Sequence, residues 1–177
     1  MPYRVCFVCT GNICRSPMAE SVFRARVAEA GLDGLVEVDS AGTDGWHEGD
    51  GADARTVSVL RTNGYETGHA ARRFRTDWFS RLDLVIALDA GHLKVLRHLA
   101  PTPADAGKVR LLRSYDTTVS ANAGVGTGTG PDIGADLDVP DPYYGGMDGF
   151  EQCLEMVEAA SLGLLASVRE QVEGRAA

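Results

Sequence analysis

Val5–Glu20 reads VCFVCTGNICRSPMAE, and the reading of the fold hangs on it. The apolar run VCFV belongs to a short buried strand over Tyr3–Val8. It breaks abruptly into CTGNICRSP, a polar turn holding two cysteines, a glycine, an asparagine and an arginine. Ser16 is a good helix N-cap and Pro17 suits the first helical position. Ala19, Phe23, Val27 and Ala30 then recur at helical spacing, and Gly31 stops the run. Strand, tight loop and helix therefore follow one another within 31 residues.

The same rhythm continues outward. Leu35–Ser40 predicts a second strand, Asp53–Asn63 a helix ended by Gly64, and Thr76–Leu82 a short capped turn. Asp83–Leu88 (DLVIAL) predicts a third strand and Asp89–Ala100 a helix halted by Pro101. Val109–Leu112 predicts a fourth strand, and Phe150–Arg175 a long closing helix. Strands separated by helices imply an α/β fold with a parallel sheet covered on both faces. Ligands in such folds bind at the carboxyl ends of strands, where the topology reverses. The Cys9–Ser16 loop stands at one such end.

Composition bounds the function. The 177 residues suit one domain with a real core. Lys and Arg number 17 against 25 Asp and Glu, so the net charge of −8 argues against nucleic acid as a partner. Mean hydropathy is −0.11, and the N-terminal apolar run is too short for an export signal or a membrane span. The expectation is a cytoplasmic protein whose four cysteines are reduced and which binds no membrane. Cys6, inside the strand, and Cys153, on the closing helix, are expected as core packing. His47, His69, His92 and His98 show no ligand spacing, so no metal and no cofactor is expected.

A cysteine at a strand end, with its loop wrapping into a helix N-terminus, meets aligned backbone N–H groups and the positive end of the dipole. That setting favours the thiolate. After five intervening residues, Arg15 offers a planar, permanently charged fork matched to two phosphate oxygens. Gly11 permits backbone geometry closed to other residues, and Asn12 tolerates a left-handed turn. Ser16 can offer its hydroxyl to the helix or to the thiolate. Taken singly, a strand-end cysteine is usually packing and a helix-start arginine usually solvated. Together, at this spacing, they make a phosphate cradle with a nucleophile at its floor.

Displacement at phosphorus through a cysteine needs an acid for the leaving oxygen, which must come from elsewhere. Asp141 in VPDPYYGG, Val139–Gly146, is the candidate. Pro140 and Pro142 keep its backbone out of helical geometry, Tyr143 and Tyr144 supply an aromatic wall, and Gly145–Gly146 let the loop approach.

CTGNICRS followed far downstream by DPYYGG resembles the low-molecular-weight protein tyrosine phosphatase family, over nearly the whole chain. The resemblance implies a four-stranded parallel sheet in one domain spanning 1–177 and metal-free hydrolysis of phosphomonoesters through cysteinyl phosphate. It implies Cys9 as nucleophile, Arg15 as phosphoryl binder, and Asp141 as general acid and then base. The phosphate-binding loop would comprise Thr10, Gly11, Asn12, Ile13, Cys14 and Ser16, with Ser40 and His69 tying down Asn12. Trp46, Tyr143 and Tyr144 would wall the substrate cleft, and Cys14 would trap an oxidised Cys9 as a reversible disulfide. Partners implied are phosphotyrosine-containing proteins, with inorganic phosphate or a similar oxyanion in the site.

Two relatives of the same fold are rivals. Thioredoxin-coupled arsenate reductases need further cysteines mid-chain, and none occurs here from Arg15 to Gln152. Protein arginine phosphatases usually carry threonine where this chain has Ile13, and a bulky aliphatic there favours phosphotyrosine. A non-catalytic phosphoprotein-binding module would have lost Cys9 or Asp141, and both are present. Residues 117–138, rich in glycine, are expected as a flexible surface loop inserted relative to the family. Arg72, Arg73 and Arg75 are expected as a solvated basic face rather than a dock for an acidic partner.

Overall fold

β1 (Tyr3–Cys9) lies at the centre of the sheet, paired in parallel with β2 (Val36–Gly42) on one side and β3 (Leu84–Ala87) on the other. β4 (Val109–Leu111) extends the sheet beyond β3, giving the order β2-β1-β3-β4. The structure, a computed structural model, describes residues 1–119 and 136–176. The helices are α1 (Arg15–Glu29), α2 (Ala54–Thr62), α3 (Ala90–Leu99), the single turn α4 (Pro103–Ala106) and the long closing α5 (Met147–Ala176). Short 3-10 turns cover Thr76–Ser80 and Leu112–Tyr115.

The sheet explains its own sequence. β1 and β3 have neighbours on both edges and helices on both faces, so they read as unbroken apolar runs. Alternate residues still divide between two cores. Val5, Phe7 and Ile86 pack with Phe23 of α1, Leu60 of α2 and Val157 of α5. Cys6, Val8, Val85 and Ala87 pack on the opposite face with Leu96 of α3 and with Phe74 and Phe79. Phe7 and Phe23 meet edge to face at 5.6 Å, an arrangement worth about 1 kcal/mol beyond burial. Cys6 and Cys153 are buried in these cores, and burial pushes both thiols up, Cys153 to about 12.

After β2 the chain crosses over β1 to start β3, so the crevice between the carboxyl ends of β1 and β3 is the switch point. The loop from Cys9 to Arg15 and the turn at Asp89 both open into it.

Several expectations are corrected at element ends. Ser16 is not an N-cap: α1 begins at Arg15, and Cys14 occupies the cap position without a capping bond from its side chain. The Ser16 hydroxyl is fully buried and is engaged instead by Cys9, Asn12 and the Ala41 carbonyl. Asp53 and Asn63 flank α2 as caps rather than lying in it, Asp53 accepting the Arg55 N–H at 2.9 Å. α4 was not legible as a helix, being one turn with Thr102 at its cap. Gly31, with φ of 72°, does stop α1, in a conformation that strains a side chain.

Of the glycine-rich stretch expected as a loop over 117–138, residues 120–135 lie outside the described residues. Its two ends are hydrogen-bonded: Thr118 to Asp116 at 2.6 Å, and Asp138 to the Ala90 N–H at 2.8 Å.

Candidate active site

Cys9 ends β1 at the floor of a cavity of about 220 Å³. The next loop presses against the turn after β2. Thr43 and Asp44 donate backbone N–H groups to the Cys9 and Thr10 carbonyls at 2.8 and 3.0 Å. A Cβ on Gly42 would stand 2.6 Å from the Thr10 carbonyl oxygen, so only glycine lets these two turns approach.

Asn12 sits at the inner bend with φ of 57°, in the left-handed region that asparagine tolerates. Four hydrogen bonds hold it there. Its Nδ2 donates to Ser16 Oγ at 2.8 Å and Ser40 Oγ at 2.9 Å, and its Oδ1 accepts the Arg72 N–H at 3.0 Å. Its carbonyl accepts His69 Nε2–H at 2.6 Å, with the other ring nitrogen 3.8 Å from buried Glu20. Ser40 and His69 thus sit behind the loop, on Asn12. Ser16 Oγ lies 3.0 Å from Cys9 Sγ and 3.2 Å from the Ala41 carbonyl.

Arg15 opens α1 and is only 3% exposed. Its Nη1 donates to Asp89 Oδ2 at 2.8 Å and to the Val139 carbonyl at 2.9 Å. Its Nη2 lies 3.5 Å from His92 Nε2 and 3.9 Å from Asp141 Oδ2. Burial alone would raise the Asp89 carboxyl, but the His92 N–H bond and the charges of His92 and Arg15 hold it below the usual range.

His92 is the surprise of this corner. Burial, with Arg15 beside it, pushes its pKa down to about 4 against the opposing pull of Asp89, Asp141 and Asp138. The ring is therefore neutral near pH 7. Nε2 faces two donors, the Thr10 hydroxyl at 2.8 Å and Arg15 Nη2, so it accepts and the proton sits on Nδ1. Among the described residues Nδ1 makes no hydrogen bond, although Asp89 Oδ1 lies 3.2 Å away.

Asp141 enters from the loop before α5. Its carboxylate is 43% exposed, and Oδ1 accepts the Tyr143 N–H at 3.1 Å. Trp46 (86% exposed) and Tyr144 (91% exposed) stand at the mouth, and Tyr143 meets Tyr144 edge to face at 5.0 Å. Thr10, Gly11, Ile13, Cys14, Asp44 and His47 complete the lining. Cys14 is buried and its thiol is pushed up to about 12 by burial and by Asp53. Among the described residues no three His, Cys, Asp or Glu side chains converge as metal ligands.

Sequence reasoning missed Asp89, His92, Asp53 and Arg55. Asp89 carries a positional signal, since it follows the carboxyl end of a strand beside the switch point; the spacing of His92 carries none. Arg72 departs from the expected solvated basic face. Besides bonding Asn12 through its N–H, it donates to the Ser40 carbonyl at 3.1 Å, pairs with Asp39 at 2.8 Å and covers Trp78.

Comparison with known proteins agrees with this geometry. Residues 4–174 match the model of the low molecular weight phosphotyrosine protein phosphatase family. A low molecular weight protein-tyrosine-phosphatase of Streptomyces coelicolor is 72% identical over 177 residues, covering all of both chains. Phosphatase A of this type from Mycobacterium tuberculosis is 43% identical over 171 residues, which is 97% of this chain and 94% of the relative. The crystal structure of a protein tyrosine phosphatase from Entamoeba histolytica superposes with a TM-score of 0.82 at 30% identity, covering 96% of this chain and 98% of that one. With its cysteine-floored loop at the switch point of a four-stranded parallel sheet, this chain belongs to the low molecular weight phosphotyrosine protein phosphatase family.

Proposed function

We propose that the chain hydrolyses phosphotyrosine on proteins through a cysteinyl phosphate on Cys9. The observation that carries the reading is the convergence of Cys9, Arg15 and Asp141 on one cavity. In the first step the Cys9 thiolate forms a bond to phosphorus as the phosphorus–oxygen bond to the tyrosine breaks. Asp141 gives its proton to that departing oxygen. In the second step the Asp141 carboxylate takes a proton from water, whose oxygen attacks phosphorus and expels the Cys9 thiolate with orthophosphate.

The surroundings support each role. Ser16 Oγ accepts from Asn12, so its single proton is left for Cys9 Sγ or the Ala41 carbonyl, and a thiolate attracts it. Arg15 is anchored through Nη1 and touches His92 through one side of Nη2, leaving its Nε–H and the second Nη2–H for phosphoryl oxygens. Trp46 and Tyr143 offer faces to an aromatic ring, and aliphatic Ile13 lines the cavity without a partner for a guanidino group. The chemistry needs Cys9 reduced, which suits the reducing cytoplasm.

Turnover of phosphotyrosine, phosphoserine and phosphoarginine peptides, each with EDTA present, tests this. Phosphotyrosine is expected to be cleaved far faster than the others, unaffected by EDTA. Preferential turnover of phosphoarginine, or loss of all activity in EDTA, overturns the proposal.

A further inference from the structure

One guanidinium ties the Asp141 loop to the phosphate loop. Asp53 donates its N–H to the Ile13 carbonyl at 2.8 Å, which fixes the start of α2 against the phosphate loop. The Asp53 carboxylate then grips the Arg55 side chain from two sides, Oδ1 accepting Nε–H and Oδ2 accepting Nη2–H, both at 3.0 Å. Arg55 Nη1 reaches across 90 residues of sequence to the Gly145 carbonyl at 3.0 Å. Its Cζ lies over two rings, 4.5 Å from the centre of Phe150 and 5.5 Å from that of Tyr143. Nε, Nη1 and Nη2 therefore each have a separate partner, a fixed set of donors that a lysine cannot reproduce. The Arg55 hydrogen bonds hold the Asp53 carboxyl below its usual range.

We propose that Arg55 is a positioning residue for proton transfer, holding the 141–146 loop so that the Asp141 carboxyl stands over Cys9. The inference rests on the reading of Asp141 as the general acid. Among the described residues little holds Asp141 itself: one bond to the Tyr143 N–H inside its own loop, and Arg15 at 3.9 Å. Where that carboxyl stands is set by the loop, and the loop is held at Gly145 and Tyr143 by Arg55. Proton transfer is steep in distance, and a misplacement of about 1 Å can cost 10²-fold. Loss of Arg55 should therefore weaken the acid without touching the nucleophile.

That signature separates positioning from a merely structural role. Arg55→Ala and Arg55→Lys are compared with wild type in single turnovers on a phosphotyrosine peptide and on dinitrophenyl phosphate, whose phenol leaves almost unaided. Thermal unfolding of each variant is measured alongside, and the lysine variant keeps the charge and most of the stem. Phosphoryl transfer from phosphotyrosine should fall about tenfold in both variants, and from the acidic ester by less than about twofold. In an Asp141→Ala background the further change Arg55→Ala should cost less than about twofold on phosphotyrosine, because the group it positions is gone. An equal loss on both esters, or an undiminished loss in the Asp141→Ala background, overturns the inference while leaving Asp141 as the acid. If Asp141→Ala alone is insensitive to the leaving group, the reading of Asp141 fails and the role of Arg55 with it.

Discussion

The two loops that meet over the cavity are built in opposite ways. In the phosphate loop Asn12 and Ser16 have no exposed surface, Cys9 and Arg15 have 3% each, and the side chains of Cys9, Thr10, Asn12, Arg15 and Ser16 are tied to neighbours from other elements. In the Asp141 loop only Pro142 is buried, and among the described residues one arginine from α2 supplies the hydrogen bond that ties it from outside, with Arg15 3.9 Å from Asp141. The difference matches the work each has to do. Stabilising charge on a phosphoryl group depends on donors that do not reorganise during the reaction. An acid that must deliver a proton, then take one from water, has to admit a substrate and release a product. Rigidity belongs to the first loop and access to the second.

The sharpest way to break this comparison is to remove the nucleophile while leaving the rigid loop. Cys9→Ser should still bind phosphate or tungstate, measured by calorimetry, because Arg15 and its anchors on Asp89 and Val139 remain. Turnover should fall by about three powers of ten or more, since covalent catalysis is gone. Activity above about one per cent of wild type contradicts the role of Cys9.

The open loop should yield a smaller and more selective loss. Positioned acid catalysis contributes about 10²–10⁴-fold, and a tyrosine leaving group of pKa about 10 needs all of it. Asp141→Ala should lose that factor on phosphotyrosine, far less on an acidic phenol ester, and should accumulate cysteinyl phosphate in a rapid quench. Equal slowing on both esters reduces Asp141 to a shaper of the loop.

Cys14 tests whether the rigid loop can also protect itself. Mild peroxide converts the Cys9 thiolate to a sulfenic acid, which the Cys14 thiol can displace to give a disulfide and water. Burial pushes the Cys14 thiol up to about 12, so its thiolate is scarce at neutral pH and capture should quicken as pH rises. Wild type should regain several-fold more activity on thiol treatment than Cys14→Ser, in which Cys9 proceeds to the sulfinic acid. Equal recovery leaves Cys14 as packing.

Much of this was legible because β1, α1 and the loop between them are local in sequence. A strand that turns apolar to polar within one residue, then a proline and a helical apolar stripe, places Cys9 and Arg15 without knowledge of the rest. Asp141 was legible through its flanking prolines. What was hidden is what comes from other elements and bears no motif. Asp89 and His92 reach Arg15 because β3 lies beside β1, a pairing that no local pattern states. Arg55 reaches Gly145 because α5 returns the chain over α2. Ser16 misled for a related reason: its cap propensity is real, yet a buried sulfur and a buried asparagine compete for the hydroxyl and win.

His92 offers the smallest effect, one carried by stability rather than rate. Its ring faces Asp89, Asp138 and Asp141, which favour the charged form, and Arg15, which disfavours it. Burial outweighs the three carboxylates and lowers the pKa from 6.5 to about 4. A histidine kept neutral by the fold binds its proton in the unfolded chain first, so between those two values the unfolded state holds more protons. Stability must then rise with pH across that window, being complete above about 6.5 and lost as pH falls toward 4. From pH 7 to pH 5 the crossing of about 1.5 units corresponds to roughly 2 kcal/mol at 1.36 kcal/mol per unit. His92→Gln removes the titration while leaving an acceptor in reach of the Thr10 hydroxyl. Urea unfolding at pH 7, 6 and 5 should show wild type losing about 2 kcal/mol more than this variant over that interval, whatever the other groups contribute to both. Parallel curves for the two proteins mean that the ring takes up its proton without cost to the fold, and that Arg15 does not depend on a neutral neighbour.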